Sequence, residues 1–135
     1  MLLHCSPLRG VSVHIDLARL NDFVTALPRR CQHAVEFRHA SWLTDDTYAL
    51  LDRRHVRTVA VSGPQLPEHP VVTGGAAYVR FHRLRARYAY NYTEIDLRPW
   101  AKWLRMQQHG FAFFNNDVGG HAIANAGQLR KMLEA

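Results

Sequence analysis

Residues 113–120 read Phe-Phe-Asn-Asn-Asp-Val-Gly-Gly, and this stretch indicates the fold most clearly. Two aromatic residues end an apolar segment, and two amides, a carboxylate and a glycine pair follow before a helical pattern begins. In parallel α/β proteins, ligands bind at the carboxyl ends of the strands. The stretch therefore predicts a strand, loop and helix with a functional site where the strand ends.

The rest of the chain repeats this alternation of strand and helix, which is typical of a parallel sheet. Apolar, β-rich runs predict five strands, at residues 2–5, 34–37, 58–61, 76–82 and 111–114. Apolar residues at helical spacing predict four helices, within residues 15–27, 44–54, 97–104 and 122–133. We therefore expect an α/β fold with about five parallel strands and four helices.

Some helix boundaries follow from single residues. Asp16 and Thr44 are suitable N-caps, because their side-chain oxygens can accept from free amides of the first turn. Pro28 is expected to end the first helix, and Pro99 is expected to fit only in the first turn of its helix.

Length and composition indicate one globular domain over residues 1–135, with 47% hydrophobic and 21% charged residues. No apolar stretch approaches the roughly 18 residues of a membrane span, and His4 follows the first three residues too soon for a signal peptide. We expect no membrane partner and a cytoplasmic location. Cys5 and Cys31 lack the spacing of a disulfide framework and are interpreted as buried thiols.

The formal charge of +6 and the high isoelectric point favour an anionic partner. The arginines are scattered in short groups, at residues 29–30, 53–57 and 83–87. No aromatic-interleaved nucleic-acid motif accompanies them, so nucleic acid is an unlikely partner and a small anionic ligand is favoured.

Polar side chains follow three of the predicted strands. The catalytic candidates are Glu36, His39 and Asp117, because a carboxylate beside an imidazole can share general acid and base work. Arginines, amides, an aromatic ring and glycines could bind a ligand carrying phosphate or carboxylate. These ligand-binding candidates are Arg38, Trp42, Arg80, His82, Asn115, Asn116, Gly119 and Gly120.

Structural interpretations of the same residues stay open. Glu36 could form an ion pair with Arg38 or Arg80, since a buried carboxylate needs a partner. His39 could cap a helix or loop, and Asn116 or Asp117 could cap the last helix.

Metal binding is not predicted. The acidic and imidazole side chains near the strand ends lack a short-range ligand spacing such as His-Glu-x-x-His. They are Glu36, His39, His82 and Asp117. A cofactor is neither indicated nor excluded by the sequence.

Three ordered motifs give the chain a resemblance to a known family. Residues 34–42, residues 78–82 and residues 114–117, followed by the glycine pair and Asn125-Ala126, are similar to segments of the YecE-like family. This family, domain of unknown function 72, occurs in bacteria and archaea. The resemblance implies a TIM-type (β/α) barrel, of which this chain would be the carboxyl-terminal half to two-thirds. Residues 4–7 and the loop at residues 83–92 depart from the family pattern.

The family has no established reaction, so the resemblance implies a pocket without naming its substrate. Our first hypothesis is binding of a small anionic ligand at the strand ends, with hydrolase or isomerase-like activity. The alternative is a truncated, non-catalytic or assembly module that completes its barrel with another chain or binds nucleic acid. Uncovered sheet edges would favour a homo-oligomer or pairing with the missing barrel half.

Overall fold

The computed structural model of the chain describes residues 14–62, 70–81 and 89–135. The predicted strand at residues 2–5 and the candidate His82 lie outside these ranges. The chain divides into two compact units, Met1–Ala60 with Glu68–Tyr78, and Val61–Pro67 with Val79–Ala135. The expected α/β class, with parallel pairing and four α-helices, is confirmed.

Helices and strands alternate through the described residues, as expected. The first elements are α1 (Leu17–Ala26), β1 (Ala34–Val35), a short 3₁₀ helix (Ala40–Trp42), α2 (Asp45–Arg53) and β2 (Arg57–Thr58). Next come β3 (Ala60–Ser62), β4 (Ala77–Phe81), α3 (Glu94–Arg105), β5 (Gly110–Phe114), a second 3₁₀ helix (Val118–Gly120) and α4 (His121–Glu134).

The strands form two sheets. β1 pairs in parallel with β2, with Ala34 beside Arg57 and Val35 beside Thr58, and the second sheet has the order β3-β4-β5. The prediction of one strand at residues 58–61 was wrong, because the chain changes its pairing partner there. The amide of Val59 still donates to Val35 of β1, at 2.9 Å, and β3 then pairs with β4.

The predicted N-caps of the first two helices are confirmed. Asp16 accepts from the amide of Arg19 at 2.9 Å, and Thr44 accepts from the amide of Thr47 at 3.3 Å. α1 ends at Ala26 and Leu27 is extended, because a residue before proline disfavours the helical conformation.

α3 begins earlier than the sequence suggested. Thr93 and Asp96 form a capping box, in which each side chain accepts from the other residue's amide, at 3.3 and 2.9 Å. Pro99 consequently lies in the second turn, and its expected place in the first turn was wrong. Proline leaves the carbonyl of Ile95 without its helical donor, but Ile95 is 77% exposed, so water can replace that donor.

Each unit has its own apolar core. In the first unit, α1 and α2 bury leucine and valine side chains against Val35, Trp42 and Val56. In the second unit, Phe81 is fully buried and contacts the rings of Tyr92, Trp100 and Phe114. Within the described ranges, no helix has the length and apolar character needed to cross a membrane.

Candidate functional site

An ion pair follows β1 in the first unit. Glu36 Oε1 lies 3.4 Å from Arg38 Nε, and the Glu36 side chain is only 5% exposed whereas that of Arg38 is 50% exposed. The structural interpretation of Glu36, an ion pair with Arg38, is therefore observed. Among the described residues, no other hydrogen bond or ion pair engages Arg38, so its two terminal nitrogens keep their donors for another partner.

His39 caps the 3₁₀ helix after β1, as its structural interpretation predicted. Its Nδ1 accepts from the Ser41 amide at 3.2 Å and lies 2.7 Å from Ser41 Oγ. The Ser41 hydroxyl in turn accepts from the amide of Ile15 at 3.1 Å. Because Nδ1 acts as an acceptor, the proton of the neutral ring belongs on Nε2, which donates to no described residue. The ring of His14 lies edge-on, with centroids 4.6 Å apart.

Ser41 is a site residue that the sequence reasoning missed. A serine two residues after a histidine can donate back to it from both amide and hydroxyl, which is a common local pattern of serine. That spacing was the available signal, and it lay inside the motif at residues 34–42.

Trp42 belongs to the core of the first unit. It is 9% exposed and stacks on Phe37, with ring centroids 5.0 Å apart and planes 10° from parallel. This packing orients the segment that carries Arg38 and His39. The predicted contact of Trp42 with a ligand stays a prediction.

A second polar group lies at the ends of β4 and β5 in the second unit. Arg80 Nε donates to the side-chain oxygen Oδ1 of Asn115 at 2.9 Å. The backbone amide of Asn115 donates to the backbone carbonyl of Phe81, also at 2.9 Å. The structure thus brings together two of the predicted ligand-binding residues, Arg80 and Asn115.

Asn116 takes part in a buried amide network. It is fully buried, and its Nδ2 donates to the carbonyl of Tyr90 and to Asn125 Oδ1, both at 2.7 Å. Its Oδ1 has no hydrogen-bond partner among the described residues. Both protons of the Asn116 side-chain amide are therefore used in internal hydrogen bonds. Only its side-chain oxygen, Oδ1, could accept a hydrogen bond from a ligand.

Asn125 of α4 completes this network. Its Oδ1 also accepts from the Tyr92 amide at 3.0 Å, and its Nδ2 donates to the Tyr92 carbonyl and to Asn91 Oδ1, at 2.9 and 3.0 Å. Asn125 was quoted only as part of the family motif, and no role was predicted for it. The signal was its position one helical turn before buried Leu129, on the inward stripe of α4.

The loop between β5 and α4 contains the remaining candidates. Asp117 is exposed and makes no side-chain capping bond, so the predicted helix cap is absent there. Gly119 and Gly120 have φ of 73° and 74°, in the left-handed region that favours glycine. This loop geometry explains the glycine pair without a ligand, and the predicted ligand contacts stay predictions.

The predicted site residues thus fall into two groups, each described within its own unit. The first contains Glu36, Arg38, His39 and Trp42, and the second contains Arg80, Asn115, Asn116, Asp117, Gly119 and Gly120. Within the residues covered by the structure, no three histidine, cysteine or acidic side chains are grouped as a metal site requires.

Comparisons with known proteins agree with this fold. The family model described as "Protein of unknown function DUF72" matches residues 9–135. The crystal structure of a DUF72 family protein from Thermotoga maritima is 34% identical with a TM-score of 0.75, over 88% of this chain and 52% of that one. A DUF72 family protein from Enterococcus faecalis is 24% identical with a TM-score of 0.66, over 88% and 53% of the two chains, and supports the fold alone.

This chain spans about half the length of these two solved structures. No curated protein matches it. The family model covers nearly the whole chain, and the Thermotoga protein has a similar fold and is 34% identical in sequence. The chain therefore belongs to the DUF72 family of proteins of unknown function.

Proposed function

We propose that the chain is the carboxyl-terminal half to two-thirds of a TIM-type (β/α) barrel. Its alternating strands and helices and its parallel pairing support this architecture. A complete eight-stranded barrel needs at least about 200 residues, and this chain has 135. The 52% coverage of the Thermotoga relative agrees with a partial barrel.

We propose that the segment after β1 binds a small anion carrying a phosphate or carboxylate group. The geometry of Arg38 is the observation that carries this proposal. Glu36 holds the guanidinium at Nε, while the two terminal nitrogens make no hydrogen bond or ion pair with the described residues. A guanidinium tethered in this way presents a planar pair of donors, which suits two oxygens of one anion.

His39 supplies a second donor beside Arg38. Ser41 engages Nδ1, so Nε2 carries the proton and can donate to an oxygen of the bound anion. A histidine in this position can transfer a proton to or from a ligand that Arg38 orients. The reaction class that this arrangement supports is hydrolase or isomerase-like chemistry, in which Glu36 is a positioning residue for Arg38.

A titration followed by amide NMR tests the anion proposal. Inorganic phosphate and then a phosphosugar are added to the isotope-labelled chain. We expect saturable changes in the amide chemical shifts of residues 36–42. Arg38→Gln should weaken binding by about tenfold or more, because a hydrogen bond to a charged group contributes roughly 1.5–3 kcal/mol. Arg98→Gln is the matched control, since Arg98 pairs with Glu94 at 2.9 Å on an exposed helix face.

Equal affinities of the Arg38→Gln variant and the unchanged chain would refute the proposed site. A short oligonucleotide serves as a second titrant. The nucleic-acid alternative replaces the anion pocket if three results are obtained together. The oligonucleotide binds more strongly than phosphate, it changes the amide signals of the scattered arginines, and its affinity falls steeply as the salt concentration rises.

A second candidate function is assembly with another chain. This chain matches about half of each solved relative, and the sheet edges of a partial barrel would accept a further strand. We propose that the chain associates to cover them. A melting temperature that rises with protein concentration would support association, because assembly stabilises the folded state by mass action.

A further inference from the structure

A serine hydroxyl and an imidazole form a close pair in the first unit. Ser41 Oγ lies 2.7 Å from His39 Nδ1, and the backbone amide of Ile15 donates to the same Oγ at 3.1 Å. Because Nδ1 also accepts from the Ser41 amide, it carries no proton in the neutral ring. The proton between the two side chains therefore belongs to the hydroxyl, and Ser41 Oγ donates it to His39 Nδ1.

The capping role of His39 accounts for only part of this geometry. The cap uses the contact of Nδ1 with the Ser41 amide, at 3.2 Å, which every residue except proline offers at that position. The contact with the hydroxyl is shorter and depends on the serine side chain. A hydroxyl within hydrogen-bond reach of an imidazole is the arrangement in which a general base activates a serine nucleophile.

We propose that Ser41 is a nucleophile toward carboxylic esters and that His39 is its general base through Nδ1. The inference rests on the anion site proposed above and names the substrate class of that site, an ester that also carries a carboxylate or phosphate group. Arg38 binds this anionic group, and Ser41, three positions further along the same segment, attacks the ester.

The reaction proceeds through an acyl group on Ser41. Oγ attacks the carbonyl carbon of the ester while its proton passes to His39 Nδ1, and the tetrahedral intermediate then expels the alcohol, which takes that proton. Water next attacks the acyl group and gives a proton to Nδ1. The carboxylic acid leaves, and His39 returns the proton to Ser41 Oγ.

The surroundings of Ser41 suit this role. Both Ser41 and His39 are half-buried, so each side chain keeps a surface that a substrate can reach. The Ile15 amide positions Oγ and uses only one of its two lone pairs, which leaves the other for attack. The stacked rings of Phe37 and Trp42 hold the backbone on either side of the pair.

The anionic group of the substrate also favours the proton transfer. When Nδ1 takes the proton, the His39 ring becomes a cation whose Nε2 donates to the anion bound by Arg38. The negative charge then stabilises the imidazolium, as the aspartate does in a serine, histidine and aspartate triad. An ester without an anionic group lacks this partner and should react more slowly.

Two esters test the proposal on the whole chain. The para-nitrophenyl monoester of succinic acid carries a carboxylate, and para-nitrophenyl butyrate is its neutral counterpart. The release of nitrophenolate gives the rate, and peptide mass spectrometry locates the acyl group. His39→Asn removes the base but keeps a side-chain oxygen for the cap, because asparagine is a favoured capping residue. Thr25→Ala is the control, since it removes an exposed hydroxyl from α1.

We expect the acyl group on Ser41 and no acylation of Ser41→Ala at that position. His39→Asn should react about a hundredfold more slowly or less, because a general base contributes roughly 10²–10⁴-fold. Thr25→Ala should react like the unchanged chain. Arg38→Gln should slow the reaction of the succinate ester alone. Circular dichroism establishes that each variant is folded.

The failures of the two proposals are distinguishable. If no acyl group forms on Ser41, or if His39→Asn reacts as fast as the unchanged chain, the nucleophile is overturned, and the phosphate titration still decides the anion site. If Ser41 is acylated equally fast by both esters and Arg38→Gln changes neither rate, the anionic substrate class is overturned and the nucleophile stands.

Discussion

Replacing Asn125 with alanine is expected to destabilise the fold by about 2.5 kcal/mol, because the side chain holds the loop before α3 against α4. Asn125 is 2% exposed and makes four hydrogen bonds. Alanine would remove the Asn125 bonds to three buried groups: the backbone amide and carbonyl of Tyr92, and one side-chain amide proton of Asn116.

The magnitude follows from these three groups. Each buried donor or acceptor that loses its partner costs roughly 1–3 kcal/mol, so the lower end of the range gives about 3 kcal/mol. The fourth partner, Asn91, is exposed and can bind water instead. The better helix propensity of alanine offsets about 0.5 kcal/mol.

Urea denaturation, followed by the fluorescence of Trp100 and Trp103 in α3, measures the effect. The matched control is Asn91→Ala, which removes a single bond with an exposed residue and should cost less than about 1 kcal/mol. If Asn125→Ala lost no more stability than Asn91→Ala, the reasoning that the network holds this loop would be refuted.

Three further predictions concern stability. Gly74→Ala should destabilise more than Gly75→Ala by about 1–3 kcal/mol, because both have positive φ but only at Gly74 would a Cβ lie 2.8 Å from the backbone carbon of Val56; equal unfolding midpoints would contradict this. Thr93→Ala should cost about 1 kcal/mol through the lost cap, measured as a lower urea midpoint, and no change would argue against the capping box. Burial raises the pKa of Tyr48, so its contribution to stability is present below about pH 10 and is lost as the pH rises through the folded-state pKa. In the Tyr48→Phe variant, the free energy of unfolding should therefore fall less steeply at alkaline pH than in the unchanged chain. Identical pH profiles of the two proteins would contradict this prediction.

The elements that the sequence predicted best depend on neighbours along the chain. The caps at Asp16 and Thr44 use amides three residues away, and the helical stripes repeat every three or four residues. The features that the sequence predicted wrongly are those that depend on an interaction with a second residue or a second strand. Asp96 moved the start of α3 ahead of Pro99, and pairing with two different strands divided the segment at residues 58–61.

The same distinction holds for the candidate site. The strand-end pattern alone placed Glu36, Arg38 and His39 after one strand and Asn115 after another, because the end of an apolar run is visible in the sequence. That Arg38 pairs with Glu36 at Nε, and that Ser41 engages His39 Nδ1, required coordinates.

The sequence by itself determined the α/β class, the family, the caps of the first two helices and the positions of the polar strand ends, because periodicity, capping and motifs are local properties of a chain. Only the tertiary structure decided which polar atoms are engaged. Asn116 reaches a carbonyl 26 residues away, and Asn125 reaches one 33 residues away. Such contacts form only after the helices and strands pack, since burial then makes each unpaired polar group costly.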